Sequence, residues 1–525
     1  MTGPNGNAAD YFIDRHLREG RGHRTAFTDP WRSVTYAQLA EASSRFAAGL
    51  AAAGVRREQR MVLLMLDTID FPIAFWGALR AGVIPVPVNT LLPPDTIAYI
   101  LEDSRAAALI VSAPLLPPLE SHLGGLSGLR QIVVSSPDGE TDKPEPEPGV
   151  TSFASLLLPG RTVSELVRCS PDETAFWLYS SGSTGMPKGA RHLHASLQAT
   201  SDTYGAQVLQ IAPDDLMFSV AKLFFAYGLG NSMTFPMSVG AGAVLLPVRP
   251  TPDIVLDTMR HFHPTMFAGV PTLYAALLAQ PELGPGAGSD RLRRCISAGE
   301  PLPEHVGLRW RETVGVDILD GIGSTEMLHI FLSNRPDDIR YGTTGKPVPG
   351  YEVKIVDEHG GEVGENESGE LVVRGASAAE GYWNQREKSR RTFRGEWTFT
   401  GDTYTRDADG YYRYCGRSDD MLKVSGIWVS PFEVEEALIA HPAVLEAAVV
   451  GHFDAEGLVK PRAFVVLQQN ARDRDRAALA AELQEHVKAK IGVWKYPRWI
   501  EFPDTLPKTA TGKIQRFKLR DVVLP

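Results

Sequence analysis

The run 61-MVLLML-66, followed by 70-DFPIAFWGALRAG-82 and 83-VIPVPV-88, constrains the fold more than any other part of the chain. An unbroken apolar stretch of this length reads as a strand buried on both faces. The next segment reads as a helix with Asp70 as N-cap and Gly82 as terminator, and the third as a second extended piece. Strand, helix and strand at this spacing predict an α/β sheet with buried parallel strands. The helix expected before them, 35-TYAQLAEASSRFAAGLAAAG-54, has a capping box in Thr35 and Gln38. Leu39, Phe46 and Leu50 share one face of it, and Gly54 suits its end.

The same alternation continues. Residues 106-AAALIVS-112, 131-QIVVS-135 and 175-AFWLY-179 read as buried strands, whereas 136-SPDGETDKPEPEPG-149 is acidic and proline-rich and reads as an exposed loop. Between Thr251 and Leu278 a helix, a short strand at 265-TMFAGV-270 and another helix restore the α/β rhythm. After about residue 340 the pattern becomes short glycine-bounded strands: 353-VKIVD-357, 369-GELVVRG-375, 396-EWTFTGD-402 and 410-GYYRYCGR-417. Near Asp419 it changes again, to a helix at 431–441, strands at 444–451 and 462–468, and a helix at 475–491. The expected organisation is a large N-terminal domain over 1–418, with α/β subdomains at about 1–170 and 171–340 and a β-rich subdomain at 341–418, then a small α+β domain at 419–525.

At 525 residues the chain exceeds one ordinary core, and 43% hydrophobic with 22% charged residues is the composition of a soluble globular protein. Fifty-three basic against sixty-three acidic side chains give a net charge of -10, which argues against broad nucleic-acid binding and requires local basic groups for any anionic ligand. Cys169, Cys295 and Cys415 are far apart and form no CxxC pair, so neither a disulfide framework nor a zinc ribbon is indicated, and a cytoplasmic home is expected. Asp10, Asp14 and Glu19 stand where a signal peptide needs an apolar core. Leu223 to Val248 carries no charge, but Gly228, Gly230, Pro236, Gly240 and Gly242 break it into pieces too short for a membrane span, so no membrane partner is expected.

The chemistry is most visible in 179-YSSGSTGMPKG-189. It is not a Walker loop, because Met186 and Pro187 separate Gly185 from Lys188 and Gly189 stands where Ser or Thr belongs. Amides freed by Gly182 and Gly185, hydroxyls of Ser180, Ser181, Ser183 and Thr184, and the Lys188 ammonium suit phosphate oxygens. A plain Ser/Gly turn fits this stretch alone equally well. His192 with His194, and His261 with His263, have a spacing that binds zinc on a strand, but no third ligand lies nearby in sequence. Residues 240-GAG-242 lack the third glycine and the preceding strand of a dinucleotide fingerprint.

The loop, together with 297-SAGE-300, 320-DGIGSTE-326, 369-GEL-371 with 381-GYW-383, 400-TGD-402, 416-GRSDDMLKVSG-426 and 507-PKTATGK-513, closely resembles the ordered signatures of the adenylate-forming superfamily: acyl-CoA synthetases, luciferases and peptide-synthetase adenylation domains. The resemblance covers nearly the whole chain. It implies ATP, Mg²⁺ and CoA as the small molecules used. Ser180, Ser181, Gly182, Ser183, Thr184, Gly185 and Lys188 would grip phosphates, Glu326 with Thr184 would hold Mg²⁺, and Thr325 would bond a phosphate oxygen. Ala298, Gly299, Glu300, Asp320, Gly321 and Ile322 would line the adenine pocket, with Asp320 near the exocyclic amine, and Asp402 and Arg417 would reach the ribose. Ile322 departs from the family's usual aromatic, so it offers apolar contact in place of stacking. Lys513 would contact the substrate carboxylate and the α-phosphate, and the mobile C-terminal domain would turn about a hinge at Asp419. Read without the family, Glu326 is equally a solvated glutamate at a turn and Lys513 an exposed lysine.

The segment 222-KLFFAYGLGNSM-233 reads by pattern as an aromatic helix core or as a flat slot for a ring, with glycines leaving room. This segment, 327-MLHI-330 and the N-terminal NAADYFIDRHLREGRGHRTAF closely resemble benzoate-CoA ligases within the superfamily. That resemblance places Phe225, Ala226, Tyr227, Gly323, His329, Ile330 and Lys423 around an aryl acid, with Lys423 or His329 near its carboxylate. It implies activation of benzoate, or of a substituted benzoate such as anthranilate or hydroxybenzoate, to an aryl adenylate and transfer to CoA. The alternative is a stand-alone enzyme that loads a carrier protein, and a homodimer is left open.

Overall fold

The computed structural model describes residues 6–136, 150–158, 165–180, 186–417, 420–424, 427–454, 458–492, 495–508 and 514–520. Packing divides the chain into two compact units, Met1–Glu352 with Val373–Thr398, and Val353–Val372 with Phe399–Pro525.

The first unit contains the predicted strand, helix and strand as Arg60–Leu64, Asp70–Arg80 and Ile84–Pro87. These strands pair in parallel, and Ala106–Ser112, Gln131–Ser135 and Val150–Ser152 extend the same sheet, so 106–112 and 131–135 join the first block while 175–179 lies in a separate sheet. The capping box of Thr35 and Gln38 is present at the start of helix Tyr36–Ala52. Asp70 is not the N-cap expected of it; Ile69 holds that place, without a side-chain cap. The Asp70 carboxylate sits in the helix's first turn and is drawn elsewhere: it accepts from the Ser135 hydroxyl at 2.7 Å and pairs with Arg32. Gly82 follows the helix at φ +67°, the left-handed conformation that ends helices at low cost for glycine.

A nine-stranded sheet forms the rest of this unit's framework. Its parallel centre runs Ile318–Gly323, Arg294–Ser297, Met266–Gly269, Leu216–Ser219, Gly242–Val244 and Thr25–Thr28, with antiparallel strands at both margins. Thr25–Thr28 comes from the N-terminal region, so the chain's beginning completes a sheet otherwise built from residues after 215. The apolar stretch 223–248 becomes helical pieces Ala226–Leu229, Gly230–Thr234 and Phe235–Val239, the middle one π-helical, and then the strand Gly242–Val244. Among the described residues no helix is long and apolar enough to cross a membrane. Thr174–Ser180 pairs antiparallel with Lys188–Leu193, which in turn pairs with Gly381–Tyr382.

In the second unit, Trp397–Arg406 pairs antiparallel with Tyr412–Arg417. Val444–Phe453 pairs antiparallel with Val459–Leu467, and Trp499–Glu501 joins the latter in parallel. Helices Pro431–Ile439 and Arg476–Ile491 cover one face through Val434, Leu438, Leu479, Leu483 and Val487. The mixed α/β architecture with a small C-terminal α+β domain is the one expected. Both residues that flank the expected 418/419 boundary, Ser418 and Asp419, lie outside the described residues.

Candidate active site

Parallel α/β sheets collect ligands at the carboxyl ends of their strands, where loops diverge and backbone groups are unpaired. Two such ends lie side by side here: Arg294–Ser297 runs into Ala298, Gly299 and Glu300, and the adjacent Ile318–Gly323 carries Asp320, whose register partner is Ser297. Gly299 has φ +96° and open space where a Cβ would stand. Asp320 is 5% exposed, and its Oδ1 has no hydrogen-bond partner among the described residues. Burial pushes this carboxyl up to about 8, against the opposing pull of the Ser297 hydroxyl and the Leu302 and Gly321 amides. A buried acceptor left unpaired is costly, so it marks a place suited to a donor such as an amine. Ile322 is partly buried beside it, and Gly321 is set by packing: a Cβ there would meet Ile330 at 2.8 Å and the Leu332 carbonyl at 2.9 Å.

The acidic turn after this strand is pinned carbonyl by carbonyl. His192 Nε2 lies 2.9 Å from the Thr325 carbonyl, the Ala379 amide donates to the Glu326 carbonyl at 2.7 Å, and the Ser377 hydroxyl donates to the Met327 carbonyl at 2.7 Å. Since a carbonyl only accepts, His192 carries its proton on Nε2. Burial holds His192 down to about 4, hence neutral, and the ring stacks on Phe176 at 5.1 Å. His194 faces elsewhere, its Nδ1 accepting from the Ala8 amide at 3.2 Å. The H-x-H spacing therefore serves packing and backbone anchoring.

Above that turn, three side chains from three stretches of sequence meet. Lys188 Nζ donates to the Tyr382 hydroxyl at 2.7 Å, and that hydroxyl donates to Glu326 Oε1 at 2.7 Å. Lys188 and Glu326 are themselves 3.5 Å apart. Lys188 opens the strand that leaves the phosphate-loop motif, while Ser180 ends the strand that enters it, its hydroxyl oxygen buried without a partner among the described residues. Ser181, Gly182, Ser183, Thr184 and Gly185 lie outside the described residues. Glu326 and Thr325 offer hard oxygen donors, and among the described residues no group of three or more His, Cys, Asp or Glu could hold a metal alone. One carboxylate completed by substrate phosphates and water is how Mg²⁺ is commonly bound, so the donors fit that ion.

The segment before the π-helical turn forms a second cluster. The single hydroxyl proton of Tyr227 is shared between the Gly269 and Ile296 carbonyls, both 3.1 Å from the phenol oxygen, and the Tyr227 carbonyl lies 3.3 Å from His329 Nε2. Rings of Tyr204, Tyr227 and Phe235 surround His329 at 5.2, 5.7 and 4.5 Å, and burial holds this imidazole down to about 3. Proton placement on Nε2 leaves Nδ1 a buried acceptor with no partner among the described residues. The glycines expected to leave room for a ring are already occupied: a Cβ on Gly230 would meet the His329 ring at 2.4 Å, and one on Gly228 the Lys222 carbonyl at 2.0 Å. Gly323 likewise faces the His329 carbonyl, and Ile330 is buried next to it in the antiparallel strand. Phe225 and Ala226 start the helical stretch and are partly buried.

In the second unit, Asp402 and Arg417 are register partners on neighbouring strands, with Arg417 donating to Asp402 Oδ1 at 3.0 Å. Lys423 lies on the strand Leu422–Val424, its side chain outside the description, and Asp419 and Lys513 lie outside the described residues.

A family model described as AMP-binding enzyme matches residues 14–383, and one described as AMP-binding enzyme C-terminal domain matches residues 433–513. The chain belongs to the AMP-binding enzyme family. It is 51% identical over 518 residues to the 4-hydroxybenzoate–CoA/benzoate–CoA ligase of Rhodopseudomonas palustris, covering 99% of this chain and 94% of that protein. It is 52% identical over 516 residues to the benzoate–CoA ligase of Thauera aromatica, covering 98% and 95%. The solved structure of a benzoate CoA ligase from Burkholderia xenovorans LB400 superposes with a TM-score of 0.89 at 49% identity, covering 98% of this chain and all of that one.

Two residues of the candidate site carry no such role in the sequence reading. Tyr382 stood inside the GYW motif without a role, and His192 was weighed only as a metal ligand. For Tyr382 the signal was a tyrosine in a short family motif; its partners are separated from it by 194 and 56 residues, Lys188 being brought in by strand pairing and Glu326 by the Ala379 amide bond to its carbonyl.

Proposed function

We propose that this AMP-binding enzyme is an aryl acid–CoA ligase that uses ATP and CoA to convert benzoate, or a benzoate bearing a small ring substituent, to its CoA thioester. The observation that supports this is identity of about half the residues, along 98–99% of the chain, with ligases named for benzoate. A carboxylate resists thiol attack because its oxygen leaves poorly, so its oxygen first attacks the α-phosphorus of ATP and pyrophosphate leaves. The thiol of CoA then attacks the carbonyl carbon of the mixed anhydride and AMP leaves. Bound Mg²⁺ neutralises triphosphate charge. Glu326 is assigned to hold it, with Thr184; Thr325 and Lys188 orient phosphate oxygens, and Asp320, Ala298, Gly299 and Glu300 receive adenine. Asp402 and Arg417 are assigned to the ribose, Lys513 to the charge that builds during the first attack, and Asp419 to a hinge. The cluster of Tyr227, His329 and Ile330, with Phe225, Ala226 and Gly323, is assigned to the ring, and Lys423 to the carboxylate.

The test is a panel of benzoate, 3- and 4-hydroxybenzoate and anthranilate, each with ATP and CoA, following thioester, AMP and pyrophosphate. Benzoate should give the three products in equal amounts. Pyrophosphate release without consumption of CoA would move the acceptor to a carrier protein. Discrimination within the panel should be modest, since one small group in an apolar pocket changes binding by about 1–3 kcal/mol.

A further inference from the structure

Tyr382 is 4% exposed, and its ring is held from several sides. Its strand pairs with Lys188–Leu193, placing Tyr382 opposite Ala190, and its amide donates to the Ser389 hydroxyl at 2.9 Å. Phe393 packs against the ring at 5.4 Å. The next residue, Trp383, packs against Trp177 in a tilted pair at 4.8 Å and donates to the Asp103 carbonyl at 2.8 Å, which holds this stretch in place. The same stretch supplies the Ala379 amide and Ser377 hydroxyl that pin the carbonyls of Glu326 and Met327. Backbone and side chain of the acidic turn are thus referenced to one stretch, residues 377–382.

The hydroxyl's two short bonds have a direction. An ammonium can only donate, so Lys188 donates to the phenol oxygen, and the phenol proton goes to Glu326 Oε1 at 2.7 Å, a charged and nearer acceptor than Thr392 Oγ1 at 3.5 Å. The ammonium also lies 4.0 Å from the ring centroid, a second attraction that keeps it over the tyrosine. The ammonium and the carboxylate already form an ion pair at 3.5 Å, and without the phenol between them they would close to direct hydrogen-bond contact at about 2.7–2.9 Å. An ion pair of that kind competes with a metal for the carboxylate and with phosphate for the ammonium.

We propose that Tyr382 is a positioning residue of the metal–phosphate site, its hydroxyl spacing Lys188 from Glu326 and fixing the carboxylate for Mg²⁺ while the ammonium stays directed to phosphate. This rests on the reading of Glu326 and Lys188 given above. Tyr382 touches neither substrate nor metal; it acts through the two groups that do.

The test compares wild type with Tyr382→Phe, which removes one oxygen and keeps the ring. Mn²⁺ binding followed by electron paramagnetic resonance, in the presence of a non-hydrolysable ATP analogue, should show half-saturation raised about tenfold. The Mg²⁺ concentration for half-maximal adenylation should rise equally, with the KM for benzoate within twofold and thioester formation from supplied benzoyl adenylate unchanged. In a Glu326→Gln background the same substitution should shift Mn²⁺ binding no further, because the group being positioned is gone. Unchanged half-saturation in Tyr382→Phe, or equal loss of adenylation and of thioester formation from benzoyl adenylate, would overturn the proposal. If wild type binds Mn²⁺ and the analogue but adenylates no aryl acid, the assigned substrate fails and the role of Tyr382 is still decided by the binding data.

Discussion

Asp320 carries a strongly perturbed carboxyl in the candidate site, and its titration is measurable without any substrate. Burial raises it from its ordinary value near 3.8 to about 8. Between those values the folded protein holds a proton that the unfolded chain has lost, so this group's contribution to stability is complete below about pH 4 and is lost as pH rises through 8. Asp320→Asn has no proton to bind. The melting temperature of the variant minus that of wild type should therefore grow from pH 5 to pH 8 by on the order of a few °C and level off above. A difference that stays flat across that range would contradict the burial argument. At this scale the motif residues were legible, because Glu326, Thr325 and Asp320 stand at fixed offsets in DGIGSTE. The bare Nδ1 of His329 and the bridge made by Tyr382 were not, since each depends on groups brought near by tertiary packing.

Elements place these groups through close approaches that only glycine permits. Gly230, in the π-helical turn, gives its missing Cβ volume to the imidazole of His329 and to Phe235, whose nearest atoms would lie 2.4 and 2.9 Å from a methyl there. Gly230→Ala should overpack the pocket wall, at a cost of about 1–3 kcal/mol, and push the imidazole off its place. Kinetics should show a raised KM for benzoate, by about tenfold, with the KM for ATP nearly unchanged; equal changes in both would place the damage outside the ring pocket. The end of this helical stretch is held by the N-terminal region. His16 Nε2 meets the Met237 carbonyl at 2.5 Å, Arg15 donates to the Ser238 carbonyl, Arg24 to that of Gly240 at 2.9 Å and Tyr36 to that of Ala241 at 2.7 Å. Last-turn carbonyls of a helix have no partner within it, so these contacts supply what the helix lacks. The sequence showed strand and helix positions through periodicity and glycine punctuation, but that residues 25–28 would enter a sheet of later strands carries no local signal. Asp70 misled for the same reason: its sequence position suits a cap, and Arg32 and Ser135, distant in sequence, compete for its carboxylate.

For the molecule as a whole, the ordered motifs made the family legible where single stretches did not, because each motif is short and common while their order along 525 residues is not. What a motif cannot encode is the ring pocket's preference among small substituents, which rests on differences of a few kcal/mol in side-chain packing. The central claim is that carboxylate oxygen attacks the α-phosphorus. It is tested most directly by supplying benzoate labelled with ¹⁸O in its carboxylate, with ATP and CoA, and measuring where the label goes. The account predicts AMP carrying one ¹⁸O per turnover and unlabelled pyrophosphate. Label in inorganic phosphate together with ADP, or AMP formed without label, would contradict it.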